Sequence, residues 1–415
     1  MTQDIRVIPE AHVDRALDLA DLAFHEKTGD STRKRHRDIL LECERVGAYD
    51  GDVLVGQIAA HRLHMSVPGG ELPTAGLDFV SVAPTHRRRG VLTAMMDELW
   101  RRCAAAGQPL ACLWASEAAI YGRFGFGPAT EACTVEIDSS RPLALRITPD
   151  DRPLRLVDPA DAPALIGPVY EAGRARRAGQ LARDEARWHN GTLFVPEDDD
   201  DDDGPVRVVV LGEAREAPAG YAVYRTKGED EEAGVAGIPG RVSVDELEAV
   251  DAPAAAALWS YLASIDLTKR VRSWIRPCDD PLLHFAADRD QVRVTGRFPA
   301  QWLRLVDVRA ALTARSWAAP VDLVLDVRDD ALPANAGRFR LTAGPDGAAY
   351  EAVTAPGTAA DLSLDVRELA ACYLGGTPLR HLVTAGLVTE HTPGAVRRLD
   401  AALATEYEPF AGENY

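Results

Sequence analysis

The chain has 415 residues, 46% of them hydrophobic, and this size predicts two or three domains with apolar cores. Its 46 basic and 64 acidic residues give a net charge of −18, which argues against nucleic-acid binding because that needs a basic surface. The apolar runs fall short of the ~20 residues of a membrane span, and the N-terminal residues lack the apolar core of a signal peptide. We therefore expect a cytoplasmic protein with no nucleic-acid or membrane partner.

The six cysteines show no C-x-x-C spacing, and several lie in apolar runs such as Leu110–Trp114. This pattern is typical of buried free thiols in a reducing compartment. Metal-ligand spacing is also missing from the sequence, since there is no H-E-x-x-H and since His61 and His64 lie in a strand-like segment. We expect no metal cofactor.

The first part of the chain predicts a strand, a helix and a run of antiparallel strands. Residues 4–9 have the pattern of a strand, and Glu10–Phe24 carries apolar residues at helical spacing. A charged segment follows, and a hairpin that turns at Asp50-Gly51 begins a series of strands ending at Val82.

A basic loop separates this series from the next helix. The apolar strand from Leu77 ends at Pro84, Arg87-Arg88-Arg89-Gly90 forms the loop, and an amphipathic helix is predicted from Val91 to about Ala105. Unpaired N–H groups at a helix N-terminus attract phosphate, glycine lets the backbone approach an anion, and arginine adds charge. Three arginines alone would favour a solvated basic loop, but with its flanking strand and helix the segment predicts a phosphate site.

The elements after this helix extend the pattern. Leu110–Trp114 predicts a buried strand, Ser116–Phe124 a short helix with Ser116 as its N-cap, and Glu131–Asp138 a strand that closes the first fold. This order and the basic loop resemble the GNAT N-acetyltransferases, whose acetyl-CoA pyrophosphate loop has the pattern Arg/Gln-x-x-Gly-x-Gly/Ala. Here Arg87–Leu92 matches the Arg and the first Gly but ends in Leu. The resemblance covers residues 1–140 in outline.

A second block, after a proline-containing linker at 141–153, repeats the first: strand, helix, hairpin, strand and helix. The loop between its last strand and helix, Val250-Asp251-Ala252-Pro253, has neither arginine nor glycine. We therefore expect a degenerate GNAT fold that does not bind acetyl-CoA. The run of acids at Glu197–Asp203 predicts a disordered loop, with metal binding as the alternative.

The last block combines alternating strands with helices. The strands are predicted at 321–327, 337–342 and 360–366, and the helices at 367–373, 378–385 and 393–404. This layout resembles a sterol-carrier-protein-like α+β domain, which implies either an apolar tunnel or a plain packing domain.

Two GNAT folds, of which only the first has the basic loop, followed by a sterol-carrier-like domain resemble the Eis (enhanced intracellular survival) family of acetyltransferases. The most specific matches are Val80–Gly90 and Ala115–Gly127. The resemblance implies an α+β chain with a catalytic GNAT domain at 1–145, a degenerate GNAT-like domain at 146–290 and a sterol-carrier-like domain at 291–415. It also implies acetyl-CoA as co-substrate, small-molecule amines such as aminoglycosides acetylated at several positions, and a homohexamer.

The resemblance assigns the acetyl-CoA site residue by residue. The basic loop and the start of the next helix should hold the pyrophosphate: Arg87, Arg88, Arg89, Gly90, Val91 and Leu92. The preceding strand should lie beside the pantetheine arm, and Ser116 should line the same site; the strand residues are Phe79, Val80, Ser81 and Val82. The backbone N–H of Val82 is the candidate donor to the thioester oxygen.

Tyr121 is the candidate general acid, since it lies in a Tyr-x-x-x-Gly-Phe motif with Gly125 and Phe126. A phenol with a pKa near ~10 stays protonated at neutral pH and can protonate a departing thiolate. The alternative is an aromatic residue of the core. The Eis resemblance makes the C-terminal carboxylate of Tyr415 the general base, with Glu413 as a second candidate and a frayed tail as the other interpretation.

Three functions are compatible with these features. The leading hypothesis is an acetyl-CoA-dependent N-acetyltransferase of small polyamine molecules. A second keeps the reaction but transfers the acetyl group to protein lysines or N-termini. A third, a non-catalytic acyl-CoA or lipid-binding protein, is disfavoured by the basic loop and by Tyr121 in its motif.

Overall fold

The computed structural model describes residues 4–195, 204–228, 240–355 and 357–413. These residues form three β-sheets with accompanying helices, which confirms the expected α+β class. They group into two compact units: unit 1 contains the described residues up to Thr130 and Ala300–Pro409, and unit 2 contains Glu131–Pro299 and the tail from Phe410.

The first sheet of unit 1 comes mainly from the N-terminal part of the chain. In spatial order its described strands are β1 (Asp4–Val7), β2 (Glu44–Asp50), β3 (Val53–Val67), β4 (Gly70–Val82), β5 (Leu110–Trp114), β14 (Gln301–Leu305) and β6 (Gly127–Pro128). Its helices are α1 (Val13–Phe24), α2 (Asp30–Glu42), α3 (Val91–Ala105) and α4 (Ala118–Tyr121). Buried residues at spacings of three and four, such as Met96, Leu99 and Cys103, give α3 one apolar face for the core of this sheet.

The other sheet of unit 1 comes from the last part of the chain. Its described strands, in spatial order, are β17 (Gly347–Ala352), β16 (Gly337–Gly344), β15 (Val321–Arg328), β18 (Leu362–Asp365) and β19 (Val388–Glu390). Its helices are α9 (Val308–Ala314), α10 (Val366–Tyr373), α11 (Leu379–Thr384) and α12 (Ala395–Leu403). The strands and helices expected in this block are therefore present.

The described residues of unit 2 form one sheet. Its described strands, in spatial order, are β13 (Val292–Pro299), β7 (Glu131–Asp138), β12 (Thr268–Pro277), β11 (Gly240–Ala249), β10 (Gly220–Lys227), β9 (Arg207–Leu211) and β8 (Leu154–Val157). Its helices are α5 (Ala162–Arg174), α6 (Glu185–Asn190), α7 (Ala252–Leu262) and α8 (Leu282–Phe285). The predicted hairpin is confirmed, since β9 and β10 pair antiparallel.

The strand β7 departs from the sequence-based expectation. Glu131–Asp138 is a strand as predicted, but it pairs with β12 and β13 in unit 2, so the expectation that it closes the first fold is wrong. The first sheet is completed instead by β14, which lies antiparallel to β5 with Leu303 opposite Cys112. The first four residues of β5 are buried, and such an apolar strand needs a hydrogen-bonded neighbour on each side.

Two glycines show that the first sheet of unit 1 and the sheet of unit 2 pack their helices alike. Gly56 on β3 faces α3, where an added Cβ would lie 2.8 Å from Val91 and 3.0 Å from Met95. Gly220 on β10 faces α7, where an added Cβ would lie 3.0 Å from Leu258. In both places the absence of a side chain lets a helix approach the sheet closely, as the predicted repeat of the fold requires.

Other expectations have mixed outcomes. The six cysteines are free, and all but Cys278 are buried. The helix expected between the first strand and the hairpin of the second block, which its sequence pattern extends over residues 161–186, is replaced by the separate helices α5 and α6. The acidic run Glu197–Asp203 lies outside the described residues. None of the described helices is both long enough and apolar enough to cross a membrane.

Candidate active site

The basic loop leads into an uncapped helix N-terminus. Arg88 and Gly90 have left-handed backbone angles, with φ of 61° and 80°, and α3 begins directly after Gly90. No side chain caps this helix, so its first N–H groups keep their capacity to bind an anion. Arg87 and Arg88 are exposed, and neither forms an ion pair with a residue that the structure describes. The loop therefore combines two available cations with available backbone donors.

The strands beside this loop separate from each other. β4 pairs in parallel with β5 only over Thr74–Gly76, and its register against β3 shifts near Phe79, whose φ is 51°. The N–H of Ala83 donates to the carbonyl of Val55 on β3. Because N–H groups alternate in direction along a strand, the N–H of Val82 points away from β3, toward the gap between β4 and β5. A pantetheine arm could pair with this exposed edge.

A cavity of 620 Å³ joins the loop, the strand gap and α4. Ten predicted site residues line it: Val80, Ser81, Val82, Arg87, Arg88, Gly90, Val91, Leu92, Ser116 and Tyr121. Phe79 and Arg89 are not among the lining residues, and Tyr415 lies outside the described residues. The structure adds seven residues that sequence reasoning missed: Ala23, Phe24, His86, Thr93, Glu117, Ile120 and Arg123. Apart from Ala23 and Phe24, each lies within three residues of a predicted one.

Tyr121 is buried at the end of α4, with 5% of its surface exposed. Its ring packs edge-on against Phe126, 6.0 Å away between centroids, while the residue lines the cavity. Burial, reinforced by the carboxylates of Asp78 and Glu117, raises the pKa of Tyr121 to about 12. The phenol is therefore neutral and able to donate a proton throughout the physiological range.

Ser116 lines the cavity but does not cap α4. The helix begins at Ala118, its N-cap is Glu117, and no side-chain hydrogen bond caps it. The predicted capping role of Ser116 is therefore wrong, because the chain stays extended for one residue longer than expected. At Glu117 φ is −129° and ψ is 96°.

Glu413 is a poor candidate for the general base. Its carboxylate is bound by both Arg183 and Arg187. Burial acts to raise the pKa of Glu413, but these two arginines hold it below its usual range. A carboxylate held in this way accepts a proton less readily than a free one.

In unit 2, side chains bond to backbone groups at the start of α7 and between β11 and β12. The carboxylate of Asp251 accepts a hydrogen bond from the N–H of Ala254 at 2.9 Å and caps α7. Between β11 and β12, the hydroxyl of Ser273 donates to the carbonyl of Val244, and Arg276 donates to that of Leu247, both at 2.9 Å. Asp251, Ser273 and Arg276 are thus all bonded to backbone groups of unit 2 itself.

Comparisons with known proteins agree with this geometry. Residues 4–129 and 179–309 match two family models that are both described as an acetyltransferase (GNAT) domain, and residues 308–412 match a sterol carrier protein domain. The chain is 40% identical to an uncharacterized N-acetyltransferase of Streptomyces avermitilis, over 99% of both chains. It is 37% identical to the N-acetyltransferase Eis of Mycobacterium tuberculosis, over 87% of this chain and 86% of the relative.

Among solved structures, that of Eis1 from Mycobacterium abscessus is 34% identical and superposes with a TM-score of 0.85, covering 99% of this chain and 100% of that one. The tandem folds, the cavity and these matches together define an N-acetyltransferase of the GNAT type. The chain belongs to the Eis family of these enzymes.

Proposed function

We propose that this enzyme transfers the acetyl group of acetyl-CoA to amines of small polycationic molecules such as aminoglycosides, at more than one position. The observation that carries the proposal is the single cavity that joins the uncapped N-terminus of α3 to the buried phenol of Tyr121. The GNAT family implies acetyl-CoA as the co-substrate, which supplies the activated acetyl thioester.

The residues of the cavity fit this co-substrate. Arg87 and Arg88, with the first N–H groups of α3, provide charge and donors for the pyrophosphate, and the resemblance adds Arg89 to this set. The gap beside β4 suits the pantetheine arm. The N–H of Val82 would stabilise the negative charge that develops on the thioester oxygen during transfer.

Tyr121 is proposed to protonate the departing thiolate. Its pKa of about 12 keeps the phenol protonated at neutral pH, so the acid form is the one present when the thiolate departs. Asp78 and Glu117 lie close enough to act electrostatically on Tyr121, and Glu117 also lines the cavity, where its carboxylate favours a cationic amine.

The base is proposed to be the C-terminal carboxylate of Tyr415, following the family resemblance. An α-carboxyl group has an ordinary pKa near ~3.5, so burial must raise its pKa for this role. The described part of the tail is not frayed at Phe410, because this residue is 4% exposed and its N–H donates to the carbonyl of Ala178 at 2.9 Å. We expect a C-terminal tag to abolish acetyl transfer without changing thermal unfolding; full activity in the tagged protein would refute the base assignment.

The proposed division of labour follows the three expected segments. The first, 1–145, would carry the chemistry, the second, 146–290, would bind no acetyl-CoA, and the third, 291–415, would supply the terminal carboxylate. By the family resemblance the enzyme would assemble as a homohexamer, which light scattering of the purified protein would test.

The substrate class is tested by thiol release from acetyl-CoA with untagged protein. We expect turnover with several aminoglycosides and more than one acetyl group per acceptor by mass spectrometry. Turnover with lysine peptides alone would instead assign protein acetylation. Acetyl-CoA binding without thiol release for any aminoglycoside, polyamine or peptide would refute the enzymatic proposal.

A further inference from the structure

The tail of the chain is seated in unit 2 by three kinds of contact. The side chain of Phe410 is buried, its N–H bonds to the carbonyl of Ala178, and the carboxylate of Glu413 is held by two arginines. Arg183 donates to Glu413 through Nε, and Arg187 donates through Nη2 at 3.0 Å. A packed ring, a backbone hydrogen bond and an ion pair thus hold the four residues 410–413 in place.

Arg183 is held rigidly in this arrangement. Its side chain is 2% exposed and lies against two aromatic rings, 3.9 Å from the centroid of Tyr170 and 4.3 Å from that of Trp188. Its two terminal nitrogens donate to Glu246 at 3.0 and 2.7 Å, which leaves Nε for Glu413. The direction in which the guanidinium faces the tail is therefore fixed before the tail binds.

Glu413 supplies one of the negative charges that face Arg183. Arg183 pairs with Glu246 and Glu413, Arg187 pairs with Glu413, and Glu248 also acts electrostatically on Arg183. Without Glu413, Arg183 would lose one of the carboxylates that compensate its buried charge, and removing one partner of a buried ion pair is strongly unfavourable. The pocket around Arg183 is therefore built for a carboxylate.

The position of Glu246 connects this pocket with the repeat of the fold. β11 pairs in parallel with β12 only over Gly240–Ser243, and Glu246 lies beyond that point. The corresponding half of β4 in unit 1 is the edge beside the cavity, where β4 has separated from β5. In unit 2, Glu246 on this half of β11 binds Arg183, and Arg183 in turn binds Glu413 of the C-terminal segment.

We propose that the second GNAT-like fold is a socket for the C-terminal segment, in which Arg183 and Arg187 are positioning residues that bind Glu413. Two residues separate Glu413 from the end of the chain, a span of at most about 7 Å. Holding Glu413 therefore restricts the terminal carboxylate to a small volume. Its catalytic consequence rests on the proposed function, in which that carboxylate is the base.

The socket is tested first by a measurement that does not depend on activity. Carboxypeptidase A removes a C-terminal tyrosine, so the release of free tyrosine from the full-length protein reports how firmly the tail is held. We expect Arg187→Ala and Glu413→Gln to release Tyr415 roughly tenfold faster than the wild type, because each removes a charge-assisted hydrogen bond. Arg183 is left unchanged because its loss would disturb the core.

Arg177→Ala is the matched control, since Arg177 is 15% exposed against 19% for Arg187 and pairs with Asp279 in the same unit. It should release tyrosine at the wild-type rate. If Arg187→Ala and Glu413→Gln also do so, the socket is refuted.

Kinetics then test the catalytic consequence. In Arg187→Ala we expect kcat to fall roughly tenfold with the KM for acetyl-CoA unchanged, and Arg187→Lys to recover part of kcat because it restores the charge. Faster tyrosine release with unchanged kcat and an unchanged pH profile would uphold the socket and refute the terminal carboxylate as base. If Arg187→Ala released tyrosine as slowly as the wild type but lost activity, the positioning role of Arg187 would be overturned.

Discussion

Gly90 and Asp251 are the N-cap residues of corresponding helices, and only Asp251 caps its helix with a side chain. Gly90 precedes α3 with φ of 80° and offers no acceptor, whereas the carboxylate of Asp251 accepts the N–H of Ala254 in α7. A helix N-terminus binds an anion only if its N–H groups are not already bonded. The N-terminus of α3 therefore keeps its first N–H groups for an anion, whereas the N–H of Ala254 in α7 is already bonded.

Arg88→Ala should weaken acetyl-CoA binding without weakening the fold. Arg88 is exposed and forms no ion pair with a described residue, so thermal unfolding should not change. Loss of a charge-assisted contact to phosphate should raise the KM for acetyl-CoA roughly tenfold, with a smaller effect on kcat. The control is Arg215→Ala, another exposed arginine, on the turn between β9 and β10. Equal KM values for both variants would contradict the assignment of the loop.

Asp251→Ala should weaken the fold without weakening acetyl-CoA binding. Loss of the side-chain cap on α7 should reduce the free energy of unfolding by about 1 kcal/mol, while the KM for acetyl-CoA stays unchanged. Asp251→Ser should recover most of the stability because serine also caps helices. Urea denaturation and initial-rate kinetics measure the two effects. A raised KM for acetyl-CoA in Asp251→Ala would show that unit 2 also takes part in co-substrate binding.

Tyr121→Phe should lower kcat by about 100-fold or more, because it removes the proposed proton donor and keeps the ring against Phe126. Tyr350→Phe is the control, since Tyr350 is also a buried tyrosine of unit 1 and lies outside the cavity. It should keep the wild-type kcat. Wild-type kcat in Tyr121→Phe would leave Tyr121 as a residue of the core only.

The pH dependence follows from the raised pKa of Tyr121. Its folded-state pKa is about 12 and its ordinary value is 10.0, so the folded state retains this proton up to a higher pH than the unfolded chain. The contribution of this phenol to stability is therefore constant below pH 10 and falls between pH 10 and 12. We expect Tyr121→Phe to flatten the alkaline loss of stability in that interval, as measured by urea denaturation at several pH values.

Local sequence patterns predicted most elements of the site. The loop Arg87–Gly90 and the motif from Tyr121 to Phe126 carry their geometry in adjacent residues, so the arrangement of strand, loop and helix follows from a short segment. Phe24 was missed because it lies on α1, far from these motifs in sequence. α2 was missed as a helix because only Leu40 among its residues is buried, so it has little apolar periodicity.

The order of strands in the first sheet could not be predicted in the same way. β5 and β14 are separated by almost 190 residues, and neither sequence specifies the other as its partner. The pairing is decided by burial and by contacts that exist only in the folded chain. Arg304 on β14 provides one of them, since its side chain is fully buried beside Asp329.

The pair of Arg304 and Asp329 should be required for the stability of unit 1. Arg304 donates to Asp329 at 2.6 Å, their side chains are 0% and 1% exposed, and Asn335 donates to the same carboxylate at 3.0 Å. Burial lowers the pKa of Arg304, and the charge of Asp329 counteracts this. Asp329→Asn removes that compensating charge and leaves a buried cation, so we expect a loss of about 3 kcal/mol in the free energy of unfolding.

The control for this substitution is Asp322→Asn. Asp322 also pairs with an arginine, Arg340, but both side chains are at least half exposed. Solvent already stabilises both charges there, so its thermal unfolding should match that of the wild type. If Asp329→Asn unfolds at the wild-type temperature as well, the ion pair does not hold β14 in the first sheet, and the apolar residues of β5 and β14 are sufficient for that pairing.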